Sequence, residues 1–299
     1  MGIAWVFPGQ GSQKVGMVGD LLELPGARER FAAASELLGR DLLAICAGEP
    51  LSDPAALADL NDTRNSQPAL FVLESLLVDA LKEMGRSAHL VAGHSLGELV
   101  ALYAAGVFDL EAGLALMRQR SELMAAAGGG AMTAVIGFNR AELEERIAAS
   151  EGVVIANDNS ASQVVLSGSS EAVQVLCQSI SCKRAIPLAV SGAFHSPFMA
   201  EAAAAFRQLL EQVPFADATI PVLSNTDPTP ATDGAILKER LSEQMVTGVR
   251  WRETMDQLPL LAIDTVVEIG PGNVLTGLLR RAVPDLTTAQ IGAAADLAR

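Results

Sequence analysis

Short apolar runs alternate with longer stretches of helical periodicity along this chain, the signature of an α/β protein. Ile3-Ala4-Trp5-Val6-Phe7 reads as a first strand. Ser66-Gln67-Pro68 opens a helix running to about Met84, with Leu70, Leu73, Leu77 and Leu81 on one face and Gly85 closing it. A second strand is predicted over His89–Gly93 and a second helix from Glu98 to about Gly106. Asp109 caps a third helix, which carries Leu114, Met117, Leu123 and Met124 and ends at the triple glycine 128–130.

Beyond those glycines the rhythm changes. Ala131–Gly137 reads as strand, Arg140–Ser150 as helix, Gly152–Ala156 and Gln163–Ser167 as strands, Ser170–Ile180 as helix and Arg184–Val190 as strand. The order βαββαβ is that of a ferredoxin-like subdomain. It predicts an insertion at 129–193 in a larger α/β catalytic domain formed by 1–128 and 194–299. The larger pattern resumes at Ser196-Pro197, a capping serine followed by proline, with a helix to about Val213. Ile220–Ser224 and Thr265–Ile269 are later strands, and Thr226–Gly234 an exposed connection.

Composition narrows the function. Half of the 299 residues are apolar, enough for a sizeable core, and 21 Lys plus Arg stand against 35 Asp plus Glu, a net charge of −14. So acidic a surface disfavours nucleic acid as a partner. The three cysteines, Cys46, Cys177 and Cys182, form no CxxC and read as reduced thiols of a cytoplasmic protein. His89, His94 and His195 show no metal-binding spacing, and neither a phosphate loop nor a GxGxxG occurs. No membrane span and no leader peptide are expected, nor any cofactor or metal.

The strongest chemical signal is Gly93-His94-Ser95-Leu96-Gly97-Glu98 between an apolar strand and a helix. Gly-x-Ser-x-Gly in that setting is a nucleophile elbow, in which a β-carbon on either side of so tight a turn would clash. Ser95 is thereby lifted to a helix N-terminus, where the Leu96 amide can face a developing oxyanion. A serine nucleophile needs a base. His94 is adjacent on a sharp turn and His89 lies a strand's length below, which leaves His195 by elimination. Gln10, held between Gly9 and Gly11 after the first strand, is the candidate second oxyanion donor through its backbone N–H.

Phe7–Gln13 (FPGQGSQ), Gly93–Glu98 (GHSLGE), Arg120 with Met124 four residues on, Asn157–Gly168 (NDNSASQVVLSG), Gly192–Ser196 (GAFHS) and Glu268–Gly272 (EIGPG) occur together and in order. In these motifs, and over nearly its whole length, the chain resembles the malonyl-CoA:acyl-carrier-protein transacylases of fatty acid synthesis. The resemblance implies an α/β-hydrolase-like large domain with the ferredoxin-like insertion. It implies Ser95 as the acyl-enzyme nucleophile, His195 as its base, and the Gln10 and Leu96 amides as the oxyanion hole. Arg120 matches the arginine that grips the malonyl carboxylate, and Gln244 the position whose backbone carbonyl orients the histidine. Asn159 matches an asparagine near that histidine, and Phe194 the residue typical of malonyl-selective enzymes. Gln119 and Ser121 flank Arg120 where many relatives have Met-Arg-Gly. Arg118 is therefore an alternative, although the spacings from Gly106 and to Met124 favour Arg120.

The same resemblance implies a monomeric enzyme that moves a malonyl group from malonyl-CoA to the phosphopantetheine thiol of acyl carrier protein. Polyketide-synthase and malonate-decarboxylase acyltransferases share the motifs and stand as alternatives. A serine thioesterase or esterase is a third, though no acidic residue between 95 and 195 has the strand-end setting its triad needs. For an acidic carrier, the adjacent basic pairs Lys183-Arg184 and Arg280-Arg281 are the candidate contacts.

Overall fold

The computed structural model of the chain describes residues 2–51, 53 and 57–298. In chain order the elements are β1 (Gly2–Phe7), α1 (Ala27–Leu38), α2 (Leu42–Ala47), α3 (Thr63–Glu83), β2 (Leu90–Gly93), α4 (Gly97–Ala104) and α5 (Leu110–Ala127). Then come β3 (Ala131–Phe138), α6 (Arg140–Ala148), β4 (Val153–Ser160), β5 (Gln163–Gly168), α7 (Ser170–Ser179) and β6 (Cys182–Pro187). The chain closes with α8 (Ala200–Gln212), β7 (Val222–Leu223), α9 (Gly234–Glu243), α10 (Trp251–Leu260), β8 (Ile263–Ile269), α11 (Val274–Ala282) and β9 (Thr287–Ile291).

Two sheets organise these elements, as the hydrophobic pattern predicts. The first is parallel, in the order β7-β2-β1-β8-β9, with Phe7 level with Gly93 and Val6 level with Glu268. Its central strands β1 and β2 are apolar on both faces because helices cover both. Along β1, Trp5 and Phe7 pack with α3, α4 and α5, whereas Ala4 and Val6 pack with α10 and α11. The ends of β1, β2 and β8 therefore emerge together, and the chain leaves β1 for β2 on one side while β8 lies on the other. Such a switch point is where open α/β sheets bind ligands.

The second sheet is antiparallel in the order β4-β5-β3-β6, built from the βαββαβ segment. One face buries Val135, Val164 and Leu166 against Leu143 of α6 and Val173 and Leu176 of α7. Because side chains alternate along a strand, Met132, Ala134 and Val165 point the other way, over the ends of the parallel strands. The two crossings between the sheets run side by side, bridged at Gly129 and Gly192.

Helix α3 departs from the sequence reading. It starts at Thr63, three residues before Ser66, with the Asp62 carboxylate accepting from the Arg64 amide. Pro68 thus lies inside the helix, where it has no N–H for the Arg64 carbonyl. Arg40 fills the gap: its Nη2 donates to that oxygen at 2.7 Å, its Nε to Asn65 Oδ1 at 2.6 Å and its Nη1 to Leu38 O at 3.0 Å. The Ser196 cap is as expected, bonding the Phe198 amide, but a short 3₁₀ turn over Pro197–Met199 precedes α8. The strand expected at 220–224 contracts to Val222–Leu223.

Candidate active site

The elbow is built from what its glycines lack. A Cβ on Gly93 would lie 1.9 Å from the Gly97 carbonyl, and one on Gly97 would lie 2.2 Å from the Phe7 carbonyl oxygen. Strand, turn and helix can close so tightly only without side chains there, and the turn forces Ser95 to a φ of 53°, unusual for a residue with a β-carbon. Asn225, just past β7, fixes this geometry: its Oδ1 accepts from the Ser95 amide at 2.7 Å and its Nδ2 donates to Gly93 O at 2.5 Å.

His195 also holds a positive φ, 55°, where the chain returns from the antiparallel sheet. Its Nε2 is 2.8 Å from Ser95 Oγ and its Nδ1 2.8 Å from the Gln244 carbonyl oxygen. A carbonyl only accepts, so Nδ1 carries the proton and Nε2 is the lone-pair side facing the serine hydroxyl. Burial and the neighbouring Arg120 cation push the His195 pKa down to about 3, so the imidazole is neutral near pH 7. His94 turns away from the serine, its Nε2 2.9 Å from Asn159 Oδ1 and its ring edge-on to Trp251. His89 lies at the other end of β2, accepting from the Ile3 amide.

Arg120, on α5, is 1% exposed, and its Nη2 reaches to 3.3 Å from Ser95 Oγ. Two glutamines hold it, Gln67 Oε1 accepting from Nη1 at 2.6 Å and Gln244 Oε1 from Nη2 at 2.7 Å. Its Nε–H has no acceptor among the described residues. Burial lowers the Arg120 pKa to about 10, against the raising influence of Glu98, so the guanidinium stays charged at neutral pH. Arg118 instead pairs with Glu122 at 3.3 Å at the helix surface.

These groups open into a cavity of about 310 Å³ between the two sheets, lined also by Gln10, Leu96, Phe194 and Asn159. Among the described residues, neither the Gln10 nor the Leu96 amide is given to a protein acceptor. The Gln10 side chain is held from below: Gln67 Nε2 donates to Thr63 Oγ1 at 2.7 Å, and that hydroxyl donates to Gln10 Oε1 at 3.0 Å. Asn159 lies against His94 rather than His195, so the histidine it supports is the one beside the nucleophile. Lys183 and Arg184 are exposed along β6, while Arg280, at the end of α11, donates to Thr288.

Sequence reasoning passed over Gln67, Asn225 and Glu98. A polar residue on the buried side of an apolar helix was the available signal for Gln67. Glu98 stands in the elbow motif itself, yet only the folded chain shows its carboxylate 2.7 Å from Gln244 Nε2 and 3.1 Å from the Asn225 amide. No group of three or more His, Cys, Asp or Glu among the described residues could hold a metal ion, and no described helix is long and apolar enough to cross a membrane.

Residues 4–297 match the family described as acyl transferase domain. A malonyl CoA-acyl carrier protein transacylase of Synechocystis sp. is 50% identical over 297 residues, 99% of each chain. One of Bacillus subtilis is 38% identical over 290 residues, covering 93% of this chain and 90% of its own. The crystal structure of the Synechocystis transacylase superposes with a TM-score of 0.94 at 48% identity, over 100% of this chain and 99% of that one. A type II PKS acyl-carrier protein in complex with its malonyl-transacylase contains a chain that superposes with a TM-score of 0.92 at 36% identity, over 100% and 98%.

Proposed function

The chain belongs to the acyl transferase family, among the malonyl-CoA:acyl-carrier-protein transacylases, and we propose that Ser95, His195 and Arg120 carry that transfer here. The enzyme moves a malonyl group from malonyl-CoA to acyl carrier protein, supplying fatty acid synthesis. One observation supports the assignment above the others: Ser95 Oγ lies between a neutral imidazole nitrogen at 2.8 Å and a buried guanidinium at 3.3 Å. The first activates a nucleophile; the second marks where an acyl group with its own carboxylate must sit.

Ser95 Oγ attacks the thioester carbonyl as His195 Nε2 takes its proton, and the Gln10 and Leu96 amides receive the oxyanion. The tetrahedral adduct collapses with loss of the coenzyme A sulfur, which takes the proton from His195. The carrier's thiol then gives its proton to His195, attacks the malonyl-serine carbonyl, and displaces Ser95, which is reprotonated. The malonyl carboxylate pairs with the Arg120 guanidinium where Nη2 faces Ser95 Oγ, as guanidinium and carboxylate pair well in a desolvated site. We read 129–193 as the inserted subdomain that roofs this site and shelters the acyl-serine from water. A thioesterase triad fits less well, because the histidine's second nitrogen meets a backbone carbonyl and not a carboxylate.

Brief exposure to malonyl-CoA, followed by mass spectrometry of the digested protein, tests the assignment. A malonyl adduct on the Ser95 peptide is expected, discharged by holo acyl carrier protein and missing in Ser95→Ala. An adduct that persists in Ser95→Ala removes the serine from its role.

A further inference from the structure

We propose that the Gln244 side chain, anchored by the buried Glu98 carboxylate, is a positioning residue for acyl-group selectivity, holding Arg120 in line with Ser95. This rests on the assignment of Arg120 as the carboxylate clamp. Gln244 therefore has two separable parts, a backbone carbonyl that orients the base and a side chain that orients the selectivity cation.

The network dictates the orientation of the amide. Arg120 Nη2 can only donate, so it takes Oε1, at 2.7 Å. Ser95 O and Glu98 Oε2 can only accept here, so they take the two N–H of Nε2, at 2.9 and 2.7 Å. Both of the amide's N–H and one lone pair of its oxygen are thus used, and the group is buried without exposure. A guanidinium on a long, flexible stem loses its aim unless its donors are pinned, and among the described residues Arg120 is pinned at two points besides the serine. Gln67 supplies one pin from α3. Gln244 supplies the other, and it ties the guanidinium to the carbonyl of the nucleophile's own residue. Glu98 completes the relay: fully buried, it receives the Gln244 amide and the Asn225 amide, leaving its Oε1 without a partner among the described residues.

The side chain can be changed while the carbonyl stays. In Gln244→Glu one oxygen remains opposite Arg120 while the other meets Glu98, whose pKa burial already raises. Glu98 takes up a proton and donates it there, so the negative charge sits on the introduced carboxylate and occupies the cation that a malonyl carboxylate needs. In Gln244→Leu the pin is gone and no charge is added. The experiment measures kcat/KM for malonyl-CoA and acetyl-CoA in wild type, both variants and Arg120→Ala, with a pH profile for acetyl transfer. Gln244→Glu is expected to lower malonyl transfer by about 10²–10³-fold and acetyl transfer by less than about tenfold. Its acid limb for acetyl transfer should move to higher pH, because the Arg120 charge that depresses His195 is neutralised. Gln244→Leu is expected to lower the malonyl-to-acetyl ratio about tenfold, mainly through KM for malonyl-CoA. Should Gln244→Glu not fold, the Leu variant decides alone. An unchanged ratio in the folded variants, or a parallel loss for both substrates with an unmoved acid limb, overturns the positioning role provided that Arg120→Ala shifts the ratio. If Arg120→Ala leaves the ratio unchanged as well, the clamp itself is wrong.

Discussion

At the scale of single residues, the site sets the basicity of His195 against the charge of Arg120. Burial comes first in holding the imidazole's pKa down, and the Arg120 cation adds to it. A bound malonyl carboxylate neutralises that cation, so His195 becomes a stronger base in the malonyl complex than in the free enzyme. Acetyl-CoA brings no carboxylate and leaves the base depressed. The acid limb of kcat should therefore lie at higher pH for malonyl than for acetyl transfer. The acid limb of kcat/KM, which reports the free enzyme, should be common to both and lie below the ordinary histidine value of about 6.5. Rate profiles from pH 9 down to about 3 with the two thioesters check this, and coincident kcat limbs would refute the coupling. Residues of this kind are unequally legible in sequence. His195 could be found by elimination because the chain has only three histidines. The acceptor on its Nδ1 is a backbone carbonyl, which every residue possesses, and only the resemblance pointed to Gln244.

At the scale of elements, sequence signals succeed where they are steric and local. Gly93 and Gly97 are dictated by contacts within a few residues and the neighbouring strand end, so the elbow reads directly from its pattern. The start of α3 does not, because Pro68 resembles a first-turn proline. What overrides that reading is a guanidinium 28 residues away in sequence, and nothing around Pro68 announces it. Arg40 joins the carbonyl end of α1, through Leu38 O, to the first turns of α3, which carries Gln67 and Thr63 beneath the cavity. Arg40→Met should therefore cost about 2–3 kcal/mol, since hydrogen bonds from a charged group are lost and acceptors are stranded. Pro68→Ala in the same background restores an N–H for Arg64 O and should recover about 1 kcal/mol. Urea unfolding of the four members of this cycle measures the coupling; strictly additive effects would mean that Arg40 does not serve the proline gap.

For the whole molecule, buried titratable groups on either side of the parallel sheet's ends tie stability to pH with opposite signs. His195 has a folded pKa below its unfolded value, so the stability it permits is present above about pH 6.5 and is lost as the pH falls through that range. Glu74 works the other way. It is fully buried on α3, neither oxygen has a partner among the described residues, and a Cβ on Gly270 would meet its Oε1 at 2.8 Å, which places it beneath the turn after β8. Burial first, and then the Glu268 carboxylate, raise its pKa well above the usual range. Glu268 itself is anchored, with its oxygens accepting from the Leu275 and Thr276 amides at the start of α11, so the proton resides on Glu74. The unfolded chain releases that proton above about pH 4.3, whereas the folded chain keeps it, so stability declines as the pH rises beyond that point. Glu74→Leu removes both the proton requirement and an unsatisfied polar group. It should stabilise the protein by about 1–3 kcal/mol at pH 8, and by less at pH 5, where the proton is easily supplied. Gly270 and Pro8 flank the carboxyl on the way to the Gln10 loop, so the substitution also reports whether that loop depends on it. Urea unfolding at the two pH values, alongside kcat for malonyl transfer, separates the effects. A gain equal at pH 5 and pH 8 would show that Glu74 is not the proton carrier, and a loss at both would show that its carboxyl supports the core.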